Sequence, residues 1–390
     1  MVAQLVAPRL MLMGGGAVAK IGEVLGQLGL SRPLVVTDPF MVSSGMVDRV
    51  LAPLRASGLA PQVFSETVPD PTDRVVEAGV AVLRAGGFDC LVGFGGGSPM
   101  DTAKAMTILA AAPEGAKMRD FKVPALANAA AVPVICVPTT AGTGSEATRF
   151  TVITDTERNE KMLVAGLGAL PLAAVVDHEL TFTLPRRITA DTGIDSLTHA
   201  LEAFVSKRAN PVADDYARSA MRLIAPNLRR VWADPSDATA REAMMRGATL
   251  AGLAFSNSSV ALVHGMSRPV GAHFHVPHGL SNAMLLPAVT AFGLAAGQAR
   301  YAEAARIMGI AGEDEGDQSA AARLVEELRA LNRDLEVPSP GAWGIDGGKW
   351  TALLPLMAQQ ALASGSPANN PRVPSAEEVV TLYQEVYGAG

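Results

Sequence analysis

The first half of the chain alternates short β-branched runs with helical stretches. Pro33-Leu-Val-Val-Thr-Asp38, Cys90-Leu-Val-Gly-Phe94, Val132-Pro-Val-Ile-Cys-Val137 and Ala173-Ala-Val-Val-Asp177 read as strands, and 17–28, 74–85 and 99–112 between them read as helices. Such alternation predicts a parallel α/β sheet with helices on both faces. One interruption, Phe150-Thr-Val-Ile-Thr-Asp155 followed after a polar turn by Lys161-Met-Leu-Val-Ala165, predicts a hairpin. From Leu184-Pro185 onward the pattern changes to long Ala/Leu-rich helical periods, as in 212–231, 238–255 and 318–331. The expectation is an α/β domain over 1–184 and an all-helical domain over 185–390, with 312–317 as an exposed loop.

A chain of 390 residues exceeds the size at which a single core stops growing, which agrees with two domains. Lys and Arg total 32 against 38 for Asp and Glu, a net charge of −6 with no basic block, so nucleic-acid and anionic-membrane partners have no electrostatic support. No stretch runs 18 residues without Gly, Pro or a charge, and the N-terminal sequence lacks the charged start and apolar core of a signal peptide. A cytoplasmic protein is expected. Cys90 and Cys136 both lie in strand-like runs, where small buried thiols are the simplest reading.

Four of the six histidines fall within 264–278, as His264, His273, His275 and His278. Upstream, Asp195 and His199 are four residues apart in a helical run, so they share one face and can meet one cation. His264 and His278 would close that site from a second helix and the loop after it.

Two glycine-containing loops follow strands. In Gly95-Gly-Gly-Ser98-Pro99-Met-Asp101 the glycines allow close approach to an anion, Ser98 suits an N-cap, Pro99 a first helical position, and Asp101 completes a capping pattern. The amides of Gly96, Gly97 and Ser98 would thus face a phosphate, although a tight strand-to-helix turn needs the same residues. Pro138-Thr-Thr-Ala-Gly-Thr-Gly-Ser145-Glu146 is the second loop, and two such loops at strand ends imply a dinucleotide. Asp38 ends a strand, where an acidic side chain accepts from the adenosine ribose and disfavours a 2′-phosphate, favouring NAD over NADP. A solvated Asp beginning a helix is the alternative. Asp38 precedes the glycine loop instead of following it by about 20 residues, so the fold departs from the ordinary Rossmann fingerprint.

These residues together resemble the iron-dependent (group III) alcohol dehydrogenases, a family that includes lactaldehyde reductase and propane-1,3-diol dehydrogenase. The resemblance runs from Gly14-Gly-Gly-Ala-Val through Gly95-Gly-Gly-Ser-Pro-Met-Asp-Thr-Ala-Lys104, the Pro138 to Glu146 loop, Asp195-Ser-Leu-Thr-His199 and Ala254-Phe-Ser-Asn257. It continues through His264-Gly-Met and Pro277-His278-Gly279 to Asn370-Pro-Arg372. It implies a dinucleotide-binding α/β domain joined to a helical metal domain. It also implies metal ligands at Asp195, His199, His264 and His278, and NAD contacts at Asp38, Gly97, Ser98, Thr139, Thr140, Thr143, Val152 and Lys161. Three imidazoles and a carboxylate suit Fe(II) or Zn(II) without choosing between them, and the resemblance favours Fe(II); the ion would act as a Lewis acid on an alcohol oxygen while hydride passes to NAD. Expected substrates are small alcohols, diols or hydroxy acids and their aldehydes or ketones, and a homodimer or larger homo-oligomer is common among relatives.

Two positions depart from the family pattern. Asp70-Pro-Thr72 stands where many members have Asn-Pro-Thr, and Arg268 stands where many have the histidine of a proton relay. A guanidinium cannot exchange protons near neutral pH, so the relay would pass to His275 or, less directly, His273. Pro269 is expected to bias Arg268 out of helical geometry, to a helix end near the metal. There Arg268 would pair with a substrate carboxylate, with the cofactor pyrophosphate, or structurally with an Asp or Glu. Two other functions compete: a cyclase like dehydroquinate synthase, which returns its NAD unchanged, and a noncatalytic NAD or metal sensor.

Overall fold

A computed structural model describes residues 4–388. The chain divides into two compact units, Val6–Thr183 and the segment from Leu184 onward.

The first unit is built on β1 (Leu10–Met13), β2 (Pro33–Val36), β3 (Gln62–Phe64), β4 (Cys90–Gly95), β5 (Val134–Pro138), β6 (Phe150–Asp155), β7 (Glu160–Ala165) and β8 (Ala173–Val176). Its helices are α1 (Ile21–Gln27), α2 (Pro39–Ser43), α3 (Asp48–Ala56), α4 (Asp73–Gly86) and α5 (Gly97–Ala110). Six strands form a parallel sheet in the order β1-β8-β5-β4-β2-β3, and β6 and β7 form a separate antiparallel hairpin. Alternate residues serve opposite faces, as the period of a strand requires. Leu34, Val36 and Leu91 pack with Val76 and Val80 of α4 and Met100 and Met106 of α5, whereas Val35, Val92 and Phe94 pack with Ile21 and Leu25 of α1 and Leu51 and Leu54 of α3. Each such side chain contributes about 1.5–3 kcal/mol by leaving water. That double burial fixes the strand register.

The four expected strands and the hairpin are present; β1 and β3 were not anticipated. β1 consists of Leu and Met, neither of them β-branched, and β3 is three residues long with Gln62 and Val63 exposed, so neither carries a strand-like pattern. The expected helix at 17–28 is a 3-10 turn, Ala17–Lys20, followed by α1, with Lys20 at φ −98°, ψ 9° between them. The expected cap at Ser98 is corrected. Gly96 is the N-cap of α5 and Ser98 and Pro99 lie inside its first turn. Asp101 closes no capping box either: Ser145 Oγ donates to its Oδ1 at 2.7 Å and Val152 N to its Oδ2 at 2.8 Å.

The second unit comprises α6 (Arg186–Val205), α7 (Pro211–Ala233), α8 (Ala238–Ser256), α9 (Leu262–Phe274), α10 (His278–Ile307), α11 (Asp317–Asp334), α12 (Gly347–Ala363) and α13 (Ala376–Gly388). α6 is wrapped by α7, α8 and α10, and for that reason 16 of its 20 residues are buried and no polar stripe marks it in the sequence. α10 is long and apolar enough to cross a membrane, but it packs on α6, α9 and α11 inside this unit and bends at Gly297.

Arg268 is placed differently from its expectation. α9 continues through Arg268 and Pro269 for five further residues. The restriction on a residue before proline is a preference, and burial of Met266, Pro269 and Val270 within the helical unit overrides it.

Candidate metal centre

α6 presents Asp195 and His199 one turn apart, α9 presents His264 in its first turn, and α10 presents His278 as its first residue. One ligand atom from each of the four lies within 4.8 Å of all the others. Asp195 Oδ1 is 3.5 Å from His264 Nε2 and 3.8 Å from both His199 Nε2 and His278 Nε2. Asp195, His199 and His264 are buried and His278 is partly exposed, so the group opens to solvent on the His278 side. Burial alone would push the Asp195 carboxyl up, but His199, His278 and His264 outweigh it and hold the group well below the usual carboxylate range.

Glu202, absent from the expectations, holds His264 in place. His264 Nδ1 lies 2.6 Å from Glu202 Oε2, and the same carboxylate accepts from Ala261 N at 2.9 Å and Val263 N at 2.6 Å. One buried anion thus satisfies backbone donors at the α9 N-terminus and takes the Nδ1 proton of the helix's own histidine, leaving the Nε2 lone pair for the centre. Burial pulls the His264 pKa down, yet Glu202 and Asp195 reverse this and push it up to about 9 in the metal-free protein. Asn282, one turn beyond His278 on α10, donates through Nδ2 to Asp195 Oδ1 at 2.7 Å. Both residues had a signal in the sequence: Glu202 follows Asp195 and His199 at i, i+4, i+7, and Asn282 follows His278 at i+4.

The relay candidates separate. His273 lies nine residues after His264, about half a turn around α9, and its Nε2 pairs with Gln360 Oε1 of α12 at 2.7 Å. His275 is exposed and left-handed at φ 55°, in the short link from α9 to His278. Arg268 lies one turn after His264 on the same face, and its Nη1 donates to Ser366 Oγ at 3.0 Å. Among the described residues it has no carboxylate within 4 Å, so the structural ion pair does not form. Burial pulls its guanidinium down to about 10, with Glu202 partly opposing, and it remains a cation at neutral pH.

In the first unit, chain order reverses between β2 and β4: β2 leads outward to β3, and the chain then crosses back to β4. Ligands of open α/β sheets gather at the carboxyl ends of strands beside such a reversal. Asp38 follows β2, Gly96 to Ser98 follow β4, and Thr139 to Thr143 follow β5. The hydroxyls of Thr139 and Thr140 are buried without a partner, and a Cβ on Gly97 would come within 2.9 Å of Thr143 Cγ2. Orphan hydroxyls beside bare backbone fit an anionic, hydrogen-bonding ligand.

Other expected contacts are already engaged. Val152 N is taken by Asp101, and Lys161 Nζ pairs with Asp70 Oδ1 at 2.7 Å, so the Asp at 70 ties down a candidate cofactor residue. Asp38 caps α2 through Met41 N at 2.9 Å and has one oxygen to spare. Beneath the loops Lys104, fully buried, donates to Ser145 O and Oγ, Thr148 O and Phe150 O. This network anchors the Thr139 to Phe150 segment on α5.

Two family models match, "Iron-containing alcohol dehydrogenase" over residues 8–178 and "Fe-containing alcohol dehydrogenase family, C-terminal" over 189–387. The chain is 37% identical to NAD-dependent methanol dehydrogenase of Bacillus methanolicus, covering 96% of this chain and 97% of that one. It is 36% identical to lactaldehyde reductase of Escherichia coli strain K12, with the same coverage. A crystal structure of 1,3-propanediol oxidoreductase superposes with a TM-score of 0.94 at 35% identity, over 99% of this chain and 100% of that one. The donor cluster, the parallel sheet and these matches agree, and the chain belongs to the iron-containing alcohol dehydrogenases, oxidoreductases acting on CH–OH groups.

Proposed function

We propose that this chain interconverts a small alcohol, diol or hydroxy acid and its aldehyde or ketone with NAD(H), using a divalent ion held by Asp195, His199, His264 and His278. The observation that carries the reading is the convergence of those four donor atoms within 4.8 Å, three of the residues buried. Nitrogen and oxygen donors of this kind suit Fe(II) or Zn(II), and membership of an iron-containing family favours Fe(II).

Bound there, the ion would supply Lewis acidity toward the alcohol oxygen, and a bound nicotinamide would supply the hydride-accepting chemistry. Glu202 fixes the tautomer and ring orientation of His264, and Asn282 fixes the Asp195 carboxylate. Gly96, Gly97 and Ser98 offer α5 amides to the pyrophosphate, Thr139 and Thr140 add hydroxyls, and the spare Asp38 oxygen receives a ribose hydroxyl. His275, exposed beside His278, passes the alcohol proton to solvent.

The test is a screen of alcohols, diols and hydroxy acids with enzyme reconstituted with Fe(II) or Zn(II), following NADH absorbance, together with metal analysis of His264→Ala and His278→Ala. Net NADH formation with wild type and loss of both metal and turnover in the variants are expected. Full metal occupancy in both variants overturns the ligand set. Turnover without net NADH identifies a cyclase, and no turnover at all leaves a sensor.

A further inference from the structure

Arg268 is a cation without a counter-ion in a packed setting. Its guanidinium has five N–H donors, and among the described residues it makes a single hydrogen bond, from Nη1 to Ser366 Oγ. Glu202 is too far for an ion pair, and its carboxylate is occupied by His264 Nδ1, Ala261 N and Val263 N. The side chain is nevertheless partly reached by solvent and is not sealed in the core. Its position there is enforced. The 3-10 turn Ser366–Asn369 lies so close to α9 that a Cβ on Gly265 would come within 2.5 Å of Pro367 Cγ, and this contact delivers Ser366 to Arg268. A packed guanidinium with its fork unfilled matches a carboxylate, which can take two parallel N–H bonds.

We propose that Arg268 is the anion-recognition residue of the substrate site and binds a carboxylate at the far end of a short hydroxy acid or its aldehyde. The inference rests on the alcohol dehydrogenase reading above, since it takes the reacting oxygen to lie beside His264 and His278. Arg268 and His264 are four residues apart on one helix face, an axial separation of about 6 Å. A short chain with the hydroxyl at one end and the carboxylate at the other would meet two side chains that share this face, and 3-hydroxypropanoate is a simple probe of that kind. The preferred substrate class is therefore short hydroxy acids and the corresponding oxo acids, ahead of neutral alcohols of equal length.

Two measurements test this. With Fe(II)-loaded wild type and NAD, kcat/KM for 3-hydroxypropanoate is expected to exceed that for 1-propanol, and Arg268→Met is expected to lower this ratio about 10- to 100-fold, the range for losing a charge-assisted hydrogen bond. Arg268→Lys should restore part of it, because charge returns without the fork. Calorimetric binding of 3-hydroxypropanoate to the metal-loaded enzyme without NAD should weaken in the same order. A wild type that prefers 1-propanol, or a ratio and binding unchanged in Arg268→Met, overturns the proposal; an unchanged ratio with raised KM for NAD assigns Arg268 to the cofactor instead. If no alcohol reduces NAD, the dehydrogenase reading fails, and the binding measurement still decides whether Arg268 holds a carboxylate.

Discussion

Glu202 accepts the Nδ1 proton of His264 at 2.6 Å while capping the backbone of the helix that carries that histidine. The position of the ring is thereby coupled to the start of α9. Glu202→Gln keeps the volume but removes the charge, and its amide can present a donor to Nδ1 in place of an acceptor. Metal affinity should fall about 10- to 100-fold, as for other outer partners of metal-bound histidines. Chelator competition with the purified protein measures it, and an affinity equal to wild type would remove the positioning role.

Much of this molecule was readable in advance where one residue type does one job. The parallel strands declare themselves through β-branched runs, and the donors at 195, 199, 264 and 278 are distinctive by type. The restriction before Pro269 predicts a helix end at Arg268, and packing that no local rule describes carries α9 past it. Asp101 departs from its expected role for a related reason. Its spacing from Ser98 suits a capping box, but its actual partners, Ser145 and Val152, are 44 and 51 residues away. The outer partners Glu202 and Asn282 lay in plain helical register, hidden because buried helices here carry no polar face against which an isolated carboxylate or amide stands out.

Lys104 carries the second prediction. Its ammonium gathers oxygens of Ser145, Thr148 and Phe150 in a fully buried position. Lys104→Met leaves those carbonyls and the Asp101 carboxylate without their cation, a loss of about 3–5 kcal/mol by analogy with broken buried charge pairs. Chemical denaturation should show a loss of that size, and NAD binding should weaken because Thr139 to Thr143 are released from α5. A stability within about 1 kcal/mol of wild type would mean that the loop needs no such anchor.

Asp38 has an observed role as a cap and a proposed role at the cofactor ribose, and one substitution can separate them. It caps α2 through Met41 N, and its other oxygen faces no protein partner among the described residues. Glycine is nearly as good an N-cap as Asp, costing only a few tenths of a kcal/mol, so Asp38→Gly should leave Tm almost unchanged. The ratio of kcat/KM for NAD to that for NADP should fall toward unity as the carboxylate opposing a 2′-phosphate disappears. A wild type that already uses both cofactors equally would show that Asp38 is only a cap.

His275 and His273 make opposite predictions although two residues apart. His273 faces α12 and spends its Nε2 on Gln360, so His273→Ala should cost about 1 kcal/mol of stability and leave the pH–rate profile in place. His275 is exposed in the link that ends at His278, with nothing but its left-handed backbone to constrain the replacement. Asn tolerates that conformation and does not ionise, which makes His275→Asn the cleaner variant. If His275 passes the alcohol proton to solvent, kcat in this variant should fall by roughly 10²-fold, the lower range for a positioned acid–base group. Added imidazole should restore part of the rate, because the exposed position admits a small base. An unchanged kcat in His275→Asn would mean that the proton leaves directly to water on the open side of His278.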